Sequence, residues 1–147
     1  MIREIRSEWD AVIERDLHPK MVELGFSRQG KGWRKTENSP DRIGLIDFER
    51  TCLKRHLKVA CYVHVWVRHR RKVQFGTANS TLKSDIDPKV LVICDLAEVY
   101  QAVAELEDYI FRLGVPSINR LLANTENDGV GVTVIHIDDL DCPDTQS

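Results

Sequence analysis

The N-terminal segment repeats apolar side chains at the spacing of one helical face. Gaps of three and four residues predominate between them, which predicts an amphipathic helix. The repeating residues are Ile5, Trp9, Val12, Ile13, Leu17, Met21 and Leu24. Pro19 cannot donate a helical hydrogen bond, so we expect one helix with a bend near His18, or two short helices that meet there. Gly25 follows the last apolar position and is typical of a left-handed C-terminal cap.

Strand patterns follow this helix. Residues 26–28 and 33–35 predict two short strands, because the glycines between them, Gly30 and Gly32, fit a tight reversal. Residues 42–51 predict a third strand.

The strongest strand pattern covers residues 57–67. Successive side chains of a strand point to opposite faces of its sheet, so the two alternating sets are considered separately. One set is wholly apolar and comprises Leu57, Val59, Cys61, Val63, Val65 and Val67. The opposite set mixes aromatic and cationic side chains and comprises Lys58, Ala60, Tyr62, His64, Trp66 and Arg68.

The second half of the chain predicts a second long helix. Asp95 is a suitable N-cap and Glu98 lies three residues later, as in a capping box. Apolar residues then recur at helical spacing until Gly114, where we expect the helix to end and a short helix to open at Pro116. Before this helix, residues 90–94 predict either another strand or the lead-in to the helix.

The remaining segments predict turns, a last strand and a tail. Residues 75–88 are polar and rich in turn formers. Residues 127–129 predict a turn into a final strand at 130–137, and residues 138–147 are acidic and predict a frayed end.

This order of elements predicts an α+β fold. We expect a mainly antiparallel sheet of four to five strands, with two long helices and one short helix packed on one face. Residues 1–137 would form a single domain, which agrees with a length of 147 residues.

Composition excludes several classes of protein. No run of about 18 apolar residues exists, and the charged N-terminus does not look like a secretory signal, so we expect a cytoplasmic protein that does not enter a membrane. The four cysteines include no Cys-x-x-Cys pair, which disfavours a zinc site, and we expect them to be reduced. No cofactor or metal is predicted.

Charge is distributed unevenly although the net charge is only −2. Residues 1–83 carry a surplus of 8 positive charges, whereas residues 84–147 carry a deficit of 10. Such asymmetry indicates either two halves that pack on each other or an interaction surface.

The aromatic and cationic set on the central strand is the candidate binding site. Rings bounded by cations form a stacking platform for bases or another planar ligand, and the cations that follow the strand would add contacts to phosphate. The candidate residues are Tyr62, His64, Trp66, Arg68, Arg70, Arg71 and Lys72. The alternative is that the rings lie under a helix or at a dimer interface and that His64 is hydrogen-bonded. In either case both faces of this strand need cover, which a groove, a second protomer or a partner protein would supply.

Catalytic and metal-binding motifs are absent from the sequence. We find no nucleotide-binding glycine loop and no Ser-His-Asp grouping, and His136 beside Asp138 and Asp139 is a weak metal signal. No catalytic residue is predicted.

The run Leu17-His18-Pro19-Lys20-Met21-Val22-Glu23-Leu24-Gly25-Phe26, followed by Gly30 and by Trp33-Arg34, resembles a known pattern. It is similar to the opening of the bacterial domain of unknown function 4304 family, over residues 9–67. The resemblance implies a bacterial, cytoplasmic α+β domain and transfers no catalytic or binding residue.

These observations leave three functions open. The first is a non-enzymatic binding module for a protein partner, antitoxin-like or immunity-like, or for a second copy of itself. The second is a single-stranded nucleic-acid binder through the aromatic-basic strand face. The third is an enzyme with His64 or His136 as a base.

Overall fold

The computed structural model describes residues 1–36, 41–68 and 80–123. Within these ranges the chain forms four α-helices and six strands, and the predicted α+β class is confirmed. The helices are α1 (Ile2–Val12), α2 (His18–Glu23), α3 (Val99–Tyr109) and α4 (Val115–Ala123). The strands are β1 (Ser27–Gln29), β2 (Gly32–Thr36), β3 (Arg42–Cys52), β4 (Leu57–Arg68), β5 (Ser80–Lys83) and β6 (Lys89–Ile93).

The six strands form one antiparallel sheet. Strands β1 to β5 follow one another in sequence order, and β6 pairs with the first half of β4, on the same side as β5. The sheet has one strand more than expected, because β5 lies in the segment predicted as turns. Its Ser80 and Thr81 are polar, yet both are fully buried where β5 pairs with the end of β4.

The first helical arm, residues 2–23, is irregular near His18, where a bend was predicted. A π-helical turn, Ile13–Leu17, joins α1 to α2 and ends immediately before His18. Pro19 cannot donate a helical hydrogen bond, and the regular α-helical hydrogen-bond pattern is replaced by a π turn just before it. Gly25 ends this arm with a φ of 91°, which confirms the predicted left-handed cap.

The second helical arm corrects one prediction. Gly114 does not end the helix, because α3 continues through a second π turn, Ile110–Gly114, directly into α4. Gly114 is buried, and an added Cβ would lie 3.3 Å from a methyl group of Val63. The glycine therefore allows close packing of the helix on β4. The predicted cap at Asp95 is confirmed, since its carboxylate accepts the backbone N–H of Glu98 at 3.2 Å.

The helices cover one side of the sheet. The apolar set of β4 faces them, and its six side chains are at most 3% exposed. They belong to the main core together with residues of all four helices, among them Trp9 and Leu106. Arg42 of β3 donates to the backbone carbonyl of Leu121 and so ties the end of α4 to the sheet.

Several predictions fall outside the described residues. They are the turn at 127–129, the strand at 130–137 and the tail at 138–147. No helix in the described ranges has both the length and the apolar character needed to cross a membrane.

Candidate protein-binding face

The side of the sheet away from the main core is called here the open face. Its side chains come from the even positions of β4 and from the residues paired with them in neighbouring strands. They include Ile43, Leu45, Asp47, Glu49, Lys58, Ala60, Tyr62, His64, Trp66, Arg68, Leu82, Val90 and Val92. All the candidate site residues that the structure describes lie on this face.

Trp66 is buried, although it lies on the open face. Only 1% of the side chain is exposed, and it packs with Ile43, Leu45 and Leu82 in a second, smaller apolar cluster. Among the described residues, no helix contributes to this cluster. The guanidinium of Arg68 lies over the indole, 5.1 Å from the ring centre. The indole N–H is buried and has no hydrogen-bond partner among the described residues. The geometry makes Trp66 a core residue, since a covered indole cannot stack on a ligand.

Tyr62 and His64 are held by carboxylates of β3. The Tyr62 hydroxyl donates to Glu49 at 3.2 Å, and Nε2 of His64 lies 3.0 Å from a carboxylate oxygen of Asp47. The imidazole of His64 is therefore within ion-pairing distance of a carboxylate. The hydrogen bond to Glu49, a charged neighbour, raises the pKa of the Tyr62 phenol. Tyr62 is 37% exposed, so its ring remains available to a partner.

Of the four cationic residues predicted to lie beside the rings, the structure describes only Arg68. Arg68 is half-buried against Trp66. Arg70, Arg71 and Lys72 lie outside the described residues. In the described part of the open face, the groups nearest to Tyr62 and His64 are acidic rather than basic.

Val90 and Val92 belong to the same face and were missed as site residues. Val90 pairs with Ala60 and Val92 with Lys58, and about half of each valine side chain is exposed. Alternation in the run Lys89-Val90-Leu91-Val92-Ile93 could have revealed them. Once β6 is known to be a strand, residues 90 and 92 must lie opposite the buried Leu91 and Ile93.

Strand β6 also has an unpaired edge within the described part of the chain. There it pairs only with β4, so alternate backbone N–H and C=O groups point away from the sheet. The other open strand edges in the described ranges belong to β1 and β5, which are three and four residues long, and to the part of β3 after Ile46, which pairs with β4 but not with β2. β6 is therefore the edge strand that presents exposed valines to a partner.

A groove of about 380 Å³ lies beside β6 on the helical side of the sheet. One wall is Lys89 of β6, and the other is a stripe of α3 that continues to Leu113. The stripe comprises Gln101, Ala104, Glu105, Asp108 and Tyr109. Two exposed carboxylates, those of Glu105 and Asp108, line the groove together with one lysine, so the lining itself carries one net negative charge. Asp108 is also paired with Arg112, one turn further along the helical segment, at 3.3 Å.

Tyr109 fixes the geometry of this groove. Its hydroxyl donates to the backbone carbonyl of Asp87 at 2.6 Å, just before β6 begins. Burial raises the pKa of Tyr109 to about 12, so the phenol stays neutral and keeps donating at physiological pH. The tyrosine thereby fastens the start of β6 to α3.

Chemistry at metal or thiol centres finds little support in the described ranges. No three His, Cys, Asp or Glu side chains there lie close enough together to hold a metal ion. Burial raises the pKa of the Cys61 thiol well above its usual value, which disfavours the reactive thiolate.

Neither protein-family models nor curated proteins nor solved structures give a match to this chain. The resemblance to the domain of unknown function 4304 family thus stays a prediction from the motif residues between 9 and 67.

Proposed function

We propose that this chain is a non-enzymatic protein-binding domain that takes up an extended segment of its partner as an additional strand beside β6. The observation that carries the proposal is the combination at β6 of an unpaired edge, two half-exposed valines and an adjoining groove. Strand addition uses main-chain hydrogen bonds for affinity and alternate side-chain contacts for specificity.

The two sides of β6 dictate the chemistry of the incoming segment. Side chains directed to the open face would contact Val90 and Val92, and are therefore apolar. Side chains directed to the helical side would enter the groove beside Glu105 and Asp108, and are therefore basic. The partner segment is accordingly an extended stretch in which apolar and basic residues alternate.

The part of the open face formed by β3 and β4 also favours a protein partner over nucleic acid. Trp66 is covered, and the exposed ring of Tyr62 lies beside Glu49 and Asp47. Carboxylates at that position would repel a phosphate backbone, whereas they suit basic side chains of a protein.

A titration with a short peptide in which Val and Lys alternate tests this proposal. We expect saturable shifts of the β6 amide resonances in NMR spectra of the full chain. A peptide with Glu in place of Lys should bind at least about fivefold more weakly, since two rim ion pairs contribute about 1 kcal/mol together.

A variant with reversed charges in the groove tests whether the carboxylates there select the basic peptide. The double variant Glu105→Lys with Asp108→Lys should reverse the preference and favour the Val-Glu peptide. Glu23→Lys is the matched control, because Glu23 is exposed on α2, whose residues line neither β6 nor the groove. Equal binding of both peptides by the wild type, or shifts confined to other strands, would overturn the proposal.

Self-association is the competing outcome. A concentration-dependent dimer in sedimentation velocity that Val92→Lys dissociates would show that a second copy occupies β6, and it would contradict a basic partner segment. A monomer at all concentrations agrees with the proposal.

A further inference from the structure

A second pocket, remote from β6, lies between the first helical arm and the strands β1 and β3. It has a volume of about 150 Å³ and combines an apolar floor with charged walls. The floor consists of Trp9, Ile13 and Phe48, and the walls of Asp10, Glu14, Arg28, Lys31 and Arg50. None of these residues belongs to the open face or to the groove beside α3.

The floor is well formed and apolar. Trp9 and Ile13 are at most 4% exposed, and Phe48 packs edge-on against Trp33 at 5.6 Å between ring centres. A volume of about 150 Å³ is large enough to hold one benzene ring. The size therefore limits the apolar part of a ligand to about a single ring.

Two of the three cations are already paired with carboxylates. Arg50 contacts Asp10 at 2.6 Å, and Arg28 forms an ion pair with Glu14. The Arg50 side chain is only 16% exposed, and its contact with Asp10 uses one of five guanidinium N–H donors. Its other N–H groups make no hydrogen bond within the described ranges, so donors of a largely buried guanidinium are available to a ligand there.

Lys31 provides the uncompensated charge. It lies in the turn between β1 and β2, is exposed, and makes no ion pair within the described ranges. The pairs Arg50–Asp10 and Arg28–Glu14 are neutral overall, so Lys31 leaves the pocket with one net positive charge.

From this geometry we infer that the pocket binds a small monoanion with a single ring, of the aromatic carboxylate class. The ring lies on Trp9, Ile13 and Phe48. The carboxylate accepts hydrogen bonds from Lys31 and from the free donors of Arg50. Charge-assisted hydrogen bonds of this kind are the strong ones in proteins, and they fix the orientation of the ring.

Titration of the full chain with benzoate tests the inference. We expect saturable shifts of the Trp9 indole N–H resonance, with half-saturation at about 1 mM or below. Benzyl alcohol keeps the ring and lacks the charge, whereas acetate keeps the charge and lacks the ring. Each should bind at least about tenfold more weakly than benzoate, because benzyl alcohol loses the hydrogen bonds of the carboxylate and acetate loses the apolar contacts of the ring.

Lys31→Gln is the informative variant, because it changes an exposed turn residue and leaves the fold intact. It should weaken benzoate binding at least about tenfold, since a neutral amide donor replaces the ammonium group and the charge-assisted hydrogen bond is lost. Lys54→Gln, also in an exposed turn, is the matched control and should leave binding unchanged. Benzoate shifts that do not saturate, equal binding of acetate, or full affinity in Lys31→Gln would overturn the inference.

Discussion

The two faces of strand β4 differ in how their side chains are covered. On the helical side, six alternate positions are apolar, pack with residues from all four helices and are almost wholly buried. On the open face the same strand presents, in order, an exposed phenol, an imidazole paired with Asp47 and a covered indole. Alternation in a strand therefore shows which side chains share a face. It does not show which of them are buried, because on the open face burial differs from one residue to the next.

The open face is itself divided into two parts. At one end, Trp66 lies in the small cluster with Ile43 and Leu82, and only 1% of its side chain is exposed. At the other end, Val90 and Val92 of β6 remain half exposed. We assign structure to the first end and recognition to the second, and the following variants test that assignment.

Trp66→Ala should have the largest effect on stability. Truncation of a buried tryptophan creates a cavity and typically costs about 3–5 kcal/mol. Chemical denaturation should show this loss, whereas Tyr62→Ala on the same strand face should cost under about 1 kcal/mol. Similar losses for both variants would show that the open face is not divided as described.

His18→Ala tests a polar contact on the helical side that involves a fully buried ring. The indole N–H of Trp33, which is 0% exposed, donates to Nδ1 of His18 at 2.9 Å. Loss of this acceptor leaves a buried donor unpaired, and we expect a destabilisation of about 1–3 kcal/mol in thermal or chemical unfolding. His18→Asn places an amide oxygen near the Nδ1 position and should recover part of the loss. No difference between the two variants would contradict a role for the hydrogen bond.

Tyr109→Phe should cost about 1 kcal/mol at neutral pH, since it removes the hydrogen bond to Asp87. It should also change the alkaline behaviour. The pKa of Tyr109 is raised from 10.0 to about 12 by burial, so between these values the folded protein holds a proton that the unfolded chain has released. Stability therefore falls as pH rises from 10 to 12, and the fall should be shallower in Tyr109→Phe. Parallel unfolding curves for the two proteins across this range would refute the assignment.

Val92→Lys should have the smallest effect on the free energy of unfolding, within about 0.5 kcal/mol, because the side chain is half exposed. Its effect on strand addition should be large, since a charge on an edge strand opposes pairing. Val22→Lys on α2, where the valine is equally exposed, is the control that should leave peptide binding unaltered. A large loss of stability in Val92→Lys would place Val92 in the core instead.

Local patterns in the sequence were sufficient for much of the fold. Alternation identified β4 and its apolar face, and cap chemistry identified Gly25 and Asp95. The sequence did not reveal β5, because three of its four residues are polar, and the burial of Ser80 and Thr81 is a property of the folded sheet. It also misjudged Gly114, whose role depends on the close approach of a distant strand.

The candidate site could be predicted only in part, for a related reason. Strand alternation correctly placed Tyr62, His64, Trp66 and Arg68 on one face. It could not show that Asp47 and Glu49 would lie beside them, because the register between β3 and β4 is a property of the folded sheet. The burial of Trp66 likewise depends on neighbours from β3 and β5.

Amide hydrogen exchange in β6 of the full chain, without any ligand, tests most directly whether its outer edge is available. The account predicts two alternating classes along Lys89–Ile93. Amides bonded to β4 should exchange slowly, and those that point outward should exchange at least about a hundredfold faster, since nothing shields them from solvent. Uniform slow exchange at all five positions would mean that this edge is already paired, and it would contradict recognition by strand addition.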